Sequence, residues 1–428
     1  MIGAMANSFG LGRRFLGRVL TWLTSPWAIR TVGETFFWMV GRRWGRQGPI
    51  RRILIVDLRA IGDGILAGPF VRELRRNFSR AWITWVVDSR VFPLVELCPY
   101  VDEVVPYDTH LTRKLLSWQR TWRVRGRVLG ELVSLARQHL WKRRFDFALL
   151  PFWDVDYHYG AHLVYLSGAS RRCGYSSQVI DRKQDVNRDN DLLFTHLVND
   201  SSIRHDVEHN LALLRSLGLE VREDSLELWL DDRDRRFAER VLGLTGDSPI
   251  LGFGPGARDL KRRWPIDSFL QLGTWLVKEF GARLVVVGEP GEKEMGEALK
   301  RGIGDSVIDV VGSTTLRQAA ALLERCALFI GNDTGSMHLA AAGGARVVEI
   351  SCHPRTGSPS SFNSPLRFGP WGTGHHILQP MVPRDPCREF CSASQPHCIT
   401  AISVDQVKRA IEKELSLLSS RGAPRPHS

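Results

Sequence analysis

The sequence predicts an α/β protein built from two doubly wound parallel sheets, and three observations predict it. Short apolar runs alternate with helical periods from Arg52 onward, and the runs form two series divided by an acidic, Arg-containing stretch at 220–247. The chain has 428 residues, 43% hydrophobic and 24% charged, which suits two ordinary domains and lacks the polar bias of disorder.

In the first series ILIVDL (53–58) reads as a buried strand and residues 65–78 as a helix. AWITWVVD (81–88), DEVVPY (102–107) and FDFALLPF (145–152) read as further strands, and HNLALLRSLG (209–218) as the helix that closes this half. In the second series PILGFGP (249–255), RLVVVGE (283–289), VIDVVG (307–312), CALFIGND (326–333) and RVVEISC (346–352) read as strands separated by helices. A final helix is expected over 404–418, then a disordered tail. Two such series imply two domains facing each other across a cleft, with ligands at the carboxyl ends of the strands.

Charge is unevenly spread. Of the net +12, residues 1–52 carry nine Arg or Lys against Glu34 alone, and residues 111–144 carry ten against Glu131 alone, so the remainder is mildly acidic. Both patches are interleaved with Trp and suit anionic partners: phosphate-bearing lipid or saccharide, a membrane surface, or nucleic acid. No nucleic-acid-binding motif accompanies them, which ranks that partner last.

Residues 1–52 hold no bilayer-spanning run, because uncharged stretches such as 19–29 fall far short of the about 20 apolar residues a span needs. They show no small-residue cleavage site either. On a helix, Leu11, Phe15, Leu16, Val19, Leu20, Trp22 and Leu23 fall on one half and Arg13, Arg14 and Arg18 on the other, the pattern of a helix lying in a membrane interface. The competing reading is a helix docked on the protein's own core.

The seven cysteines, an odd number scattered through the chain, favour a reducing, cytosolic-side compartment. Cys387, Cys391, His397 and Cys398 cluster in DPCREFCSASQPHC, but zinc sites usually use two paired spacings and this has one, so a structural thiol-rich loop is expected and no metal.

Three segments could carry chemistry. RAIGDG (59–64) places Asp63 between a strand and a helix, where a carboxylate can accept the proton of an attacking hydroxyl, or merely cap the helix. GFGPGARDLKRRWP (252–265) does not open directly into a helix, so a dinucleotide reading is weak; Lys261 and Arg262 there fit a diphosphate better, unless they are simply solvated. GNDTGSMHLAAAGG (331–344) should present the free amides of Gly335, Ser336 and Met337 at a helix start, ready for an anion, flanked by Asp333 and His338, whose bland readings are a cap and a packed core histidine.

Taken together, RAIGD after the first strand, KRRWP opening the second half, and GNDTGSMHLAAA followed by VVEISC and RFGP resemble the bacterial lipopolysaccharide heptosyltransferase family, glycosyltransferase family 9, which uses ADP-heptose. SGASRRCGY (167–175) and EHNLALLRSLG (208–218) are looser matches, and the resemblance covers about residues 52–415. It implies a GT-B fold of two Rossmann-like domains, an acceptor domain at 52–225 and a nucleotide-sugar donor domain at 226–418, to which charge and periodicity add a basic amphipathic extension at 1–51 and a disordered tail at 419–428. It implies an inverting transfer of a heptose or related sugar to a lipopolysaccharide core or similar membrane-bound acceptor, without metal or cofactor, at the inner face of the inner membrane.

Carried over by position, Asp63 is similar to the family's general base, Lys261 to its phosphate ligand, Glu292 to its ribose contact, and Asp333, Thr334, Gly335, Ser336, Met337 and His338 to its nucleotide-sugar site. Arg59, Arg120 and Arg123 are the expected contacts to a phosphorylated acceptor. The family's proline-aspartate turn is replaced here by CHPRTGSP (352–359), the stretch after Asp63 is unusually glycine-rich, and the amino-terminal extension has no counterpart. The alternative from another class is a non-catalytic nucleotide-sugar-binding protein at the membrane.

Overall fold

A computed structural model describes residues 25–39, 48–110, 112–113, 122–243, 248–372 and 374–420. They form two compact units. The first comprises Met1–Ala60, Phe70–Ser202 and His209–Arg222; the second comprises Ile61–Pro69, Ile203–Glu208 and Glu223–Ser428.

The first unit is a six-stranded parallel sheet: β1 (Arg52–Asp57), β2 (Trp82–Asp88), β3 (Glu103–Tyr107), β4 (Phe147–Leu150), β5 (Arg171–Tyr175) and β6 (His196–Val198), in the order β3-β2-β1-β4-β5-β6. Apolar runs such as ILIV fill strands covered on both faces, the signature of a parallel sheet. The second unit repeats the plan with β7 (Ile250–Gly254), β8 (Arg283–Val286), β9 (Val307–Asp309), β10 (Leu328–Asn332), β11 (Arg346–Ile350) and β12 (His376–Leu378), in the order β12-β11-β10-β7-β8-β9. All of its pairs are parallel as well. In each sheet the order reverses between the first and fourth strands, and ligands gather at the carboxyl ends beside that reversal.

The expected strands are all present, with ends trimmed by up to three residues. Three others lie outside the expectation. β5 is masked by its two arginines, while β6 and β12 are three-residue edge strands too short to show a period. The predicted helix at 65–78 begins earlier and is broken: Ile61–Leu66 is one helix and Gly68–Asn77 the next. Pro69 has no N–H to donate, which accounts for the interruption.

The helix Pro26–Met39 is no free extension. It buries Ile29 and Phe37 in the first unit's core, Tyr165 donates its hydroxyl to Arg30 O at 2.8 Å, and the ring centres of Phe36 and Trp141 lie 5.1 Å apart. Part of the expected extension therefore belongs to the first unit. Its Trp27, Val32, Trp38 and Met39 stay exposed. The amphipathic pattern at 11–23 lies outside the described residues, as do the tail at 421–428 and Arg120. Among the described residues, no helix is long and apolar enough to cross a membrane.

Candidate active site

The carboxyl ends of β7 and β10 build the site. Beyond β7, the chain passes through Gly256 to a 3-10 turn at Leu260–Arg262 and then Trp264. Asn332, at the end of β10, holds this loop in place: its Nδ2 donates to Pro255 O at 2.8 Å, and its Oδ1 accepts from Trp264 N at 3.1 Å. Trp264 in turn donates its indole N–H to Ile402 O at 2.9 Å. The KRRWP segment is thereby fastened to the unit's core at one end, with its basic side chains at the other.

Arg262 reaches Asp333 Oδ2 at 3.1 Å and also donates to Asn363 Oδ1. Its Nε is buried with no hydrogen-bond partner among the described residues. Burial pushes the Asp333 carboxyl above its usual range, and Arg262 opposes that rise. Glu349 sits inside β11, opposite Gly331 of β10. Burial first, and then the Asp333 charge, push its carboxyl well above the usual carboxylate range. Lys261 is mostly buried and lies 3.5 Å from Asp259. It is the second cation of the loop.

Glu292 is buried at the ends of β7 and β8, where its Oε2 accepts the Glu289 N–H at 2.9 Å and its Oε1 lies 3.5 Å from Arg263. Gly256 makes room for it: a Cβ there would fall 2.1 Å from the Glu292 carboxyl carbon. The helix Gly335–Ala342 follows β10. The Thr334 and Ser336 hydroxyls lie 2.8 Å apart at its start. The Met337 amide, expected to be free, donates to Thr334 O at 3.1 Å, and its side chain is fully buried. Gly335 and Ser336 carry the other two amides of that turn.

Asp63 lies in the first turn of Ile61–Leu66, a helix that belongs to the second unit although β1 before it belongs to the first. Gly62 allows the approach: a Cβ there would lie 2.6 Å from His338 Cδ2. The turn that carries Asp63 thus packs on the helix Gly335–Ala342, with Gly62 against the His338 ring. Burial, and next the neighbouring His205, pull His338 down to about 3, so its ring is neutral at physiological pH. Its Nδ1 is buried with no hydrogen-bond partner among the described residues. His205 is itself held by Gly369 O at 3.0 Å and by Trp371, 4.5 Å between ring centres.

Arg59 behaves differently. In the first unit it is buried and clamped on Asp57 through two 2.7 Å contacts, with its guanidinium 4.9 Å from the centre of the Phe152 ring. Its charge is matched within the chain. Arg123 falls in the helix Trp122–Leu135, its side chain outside the description. Sequence reasoning missed Asn332, Glu349, Asn363 and His205. An acid within an apolar strand could have flagged Glu349; His205 has no local signal.

Residues 137–387 fit the model of "Glycosyltransferase family 9 (heptosyltransferase)". The chain belongs to glycosyltransferase family 9. Its relatives include the lipooligosaccharide heptosyltransferase 2 of Haemophilus ducreyi, 31% identical over 307 residues, 68% of this chain and 80% of that protein. Among solved structures, a family 9 glycosyl transferase from Veillonella parvula is similar with a TM-score of 0.69 at 23% identity, covering 87% of this chain and 99% of that one. The E. coli ADP-heptose lps heptosyltransferase II gives 0.63 at 19% identity, covering 86% and 99%. The two sheets are those of the GT-B class, and the protein is a glycosyltransferase of the heptosyltransferase family. Three groups of the cysteine–histidine cluster, His397 and Cys391 with Cys398, lie beyond the matched span, and the structure brings them together with Cys387.

Proposed function

We propose that this family 9 enzyme transfers a heptose from ADP-heptose, with inversion, to a phosphorylated inner-core saccharide of lipopolysaccharide at a membrane surface. The observation that carries the proposal is the packing of the Asp63 turn on the Gly335–Ala342 helix, in the same compact unit as the Arg262–Asp333 pair.

In this reading the donor diphosphate lies on Lys261, Arg262 and the amides of Gly335 and Ser336. Donors fixed before the reaction stabilise the charge that grows on a leaving diphosphate, because they need no reorganisation. Glu292, held by the Glu289 N–H, takes the ribose hydroxyls. Asp63 accepts the proton of the acceptor hydroxyl as that oxygen attacks the anomeric carbon from the face opposite the phosphate, and ADP leaves. Neutral His338 can accept or donate one hydrogen bond to the sugar without placing a second cation beside the base. The membrane part of the proposal is supported by the basic stretches and by the exposed Trp27, Trp38 and Met39 on the helix Pro26–Met39.

The test offers ADP-heptose and, separately, ADP-glucose to the full chain, with phosphorylated heptose-deficient lipopolysaccharide as acceptor. Product mass and anomeric configuration are then read. Addition of one heptose with inverted configuration is expected. Transfer from ADP-glucose in preference to ADP-heptose, or retention of configuration, would overturn the proposal.

A further inference from the structure

Four side chains of the second unit that the transfer reaction does not use converge on one point. The ligand-capable atoms of Cys387, Cys391, His397 and Cys398 all lie within 4.8 Å of one another, and the three thiols are buried. His397 Nδ1 is 3.5 Å from Cys387 Sγ and 3.6 Å from Cys398 Sγ. A tetrahedral zinc with bonds of about 2.3 Å to sulfur and about 2.0–2.1 Å to nitrogen sets its ligand sulfur and nitrogen about 3.6 Å apart. The imidazole therefore stands at the spacing that a shared ion demands.

The local backbone explains how a spacing that looks irregular in sequence closes. Cys387 and Cys391 are separated by Arg388, Glu389 and Phe390 alone, which lets both thiols face one point. His397 has φ −139° and ψ −83°, after which Cys398 opens the 3-10 helix Cys398–Ala401. That sharp change of direction lets adjacent residues aim at the same point. The Cys387 sulfur also accepts from Ser392 N at 3.4 Å and from Ser392 Oγ at 3.6 Å, the kind of outer contact that orients and stabilises a metal thiolate. Cys326 provides the contrast: this buried core thiol donates to Leu322 O at 3.4 Å, as an ordinary thiol does.

We propose that Cys387, Cys391, His397 and Cys398 form a closed, tetrahedral structural metal site of the zinc type. With three sulfurs and one imidazole in place, no position is left for a substrate, so the ion braces the fold. What it braces is the donor side. Ile402, just past the 3-10 helix, accepts the indole N–H of Trp264 from the KRRWP loop, and Glu389 O, between the first two cysteines, accepts the Ser358 N–H. The loops that carry Arg262 and Asn363 are thereby tied to the same knot.

The full chain, purified under reducing conditions without added metal, is analysed for metal content, and the zinc-stripped protein is titrated with cobalt. One zinc per chain is expected, together with the thiolate-to-cobalt charge-transfer bands of a tetrahedral site of three sulfurs and one nitrogen, saturating at one equivalent. Cys391→Ser should lose the metal, Cys326→Ser should keep it, and removing zinc should lower the melting temperature. Should Cys391→Ser fail to fold, the cobalt spectrum of the wild-type chain decides the matter. Absence of stoichiometric metal together with absence of the charge-transfer bands would overturn the site, as would a Cys387–Cys391 disulfide in the freshly isolated protein.

Discussion

Each sheet carries an arginine–aspartate pair near the carboxyl end of a strand beside its reversal point, Arg59–Asp57 in the first and Arg262–Asp333 in the second, and these two are built to opposite ends. Arg59 and Asp57 are two residues apart and meet through two 2.7 Å contacts that use both carboxylate oxygens. Arg262 and Asp333 follow the neighbouring strands β7 and β10, 71 residues apart in sequence, and meet at a single 3.1 Å contact; Arg262 keeps a buried Nε with no hydrogen-bond partner among the described residues. A closed pair of this kind fixes a turn. An open one has donor capacity to spare and a carboxyl already pushed toward its neutral form, which suits a pocket that must receive an anion.

The largest expected effect tests whether the open side is the reacting side. Asp63→Asn should fold and bind donor normally, since the amide keeps the shape, yet turn over about 10²–10⁴-fold more slowly. Near wild-type turnover would remove Asp63 from the role of base. Next come the two pairs themselves. Arg59→Ala strands the buried Asp57 carboxylate and should cost about 3–5 kcal/mol of stability. Arg262→Ala should cost less stability, because Asp333 can take a proton, while donor affinity falls about 10–100-fold. Chemical denaturation and calorimetry of both variants would break the comparison if the two losses were equal in kind. Lys261→Ala should weaken the donor diphosphate toward the lower end of that range without shifting the melting temperature, and unchanged affinity together with unchanged turnover would sink its role.

The smallest effect sharpens the comparison through pH. His338 is held down to about 3 by burial, below its unfolded value near 6.5, so the unfolded chain binds the extra proton. Its contribution to stability is complete above 6.5 and is lost as pH falls toward 3, by about 2 kcal/mol at pH 5. His205, also lowered by burial, adds in the same direction, whereas Asp333, raised by burial, acts against it. His338→Gln should therefore lose less stability between about pH 7 and pH 5 than the parent protein. An unchanged slope in denaturation midpoints would show that the ring titrates normally.

Much of this was legible in the residues. Apolar runs such as ILIV, VVV and LFI mark the buried strands, and RAIGD, KRRWP and GNDTGSMH mark the turns after them, because strand burial and tight turns are local demands. The edge strands β6 and β12 were not legible, being too short for a period. Charge and periodicity present the amino-terminal stretch as an appendage, yet Phe37 and Ile29 of the Pro26–Met39 helix are core residues. Trp27 and Trp38 on the same helix are exposed, so a single pattern served both core and surface.

The sequence by itself determined the alternation of strands and helices, the parallel sheets it implies, the family, and the residue types able to carry sugar transfer. Only the tertiary structure decided which of them meet. It put the Asp63 turn with the second unit, against His338, and it spent Arg59 on Asp57 while leaving Arg262 Nε unpartnered among the described residues. It also gathered Cys387, Cys391, His397 and Cys398 around one point. The reason is physical: periodicity and turn chemistry act over a few residues, whereas a buried charge or a ligand atom is paired by whatever the packing brings within a few ångströms of it.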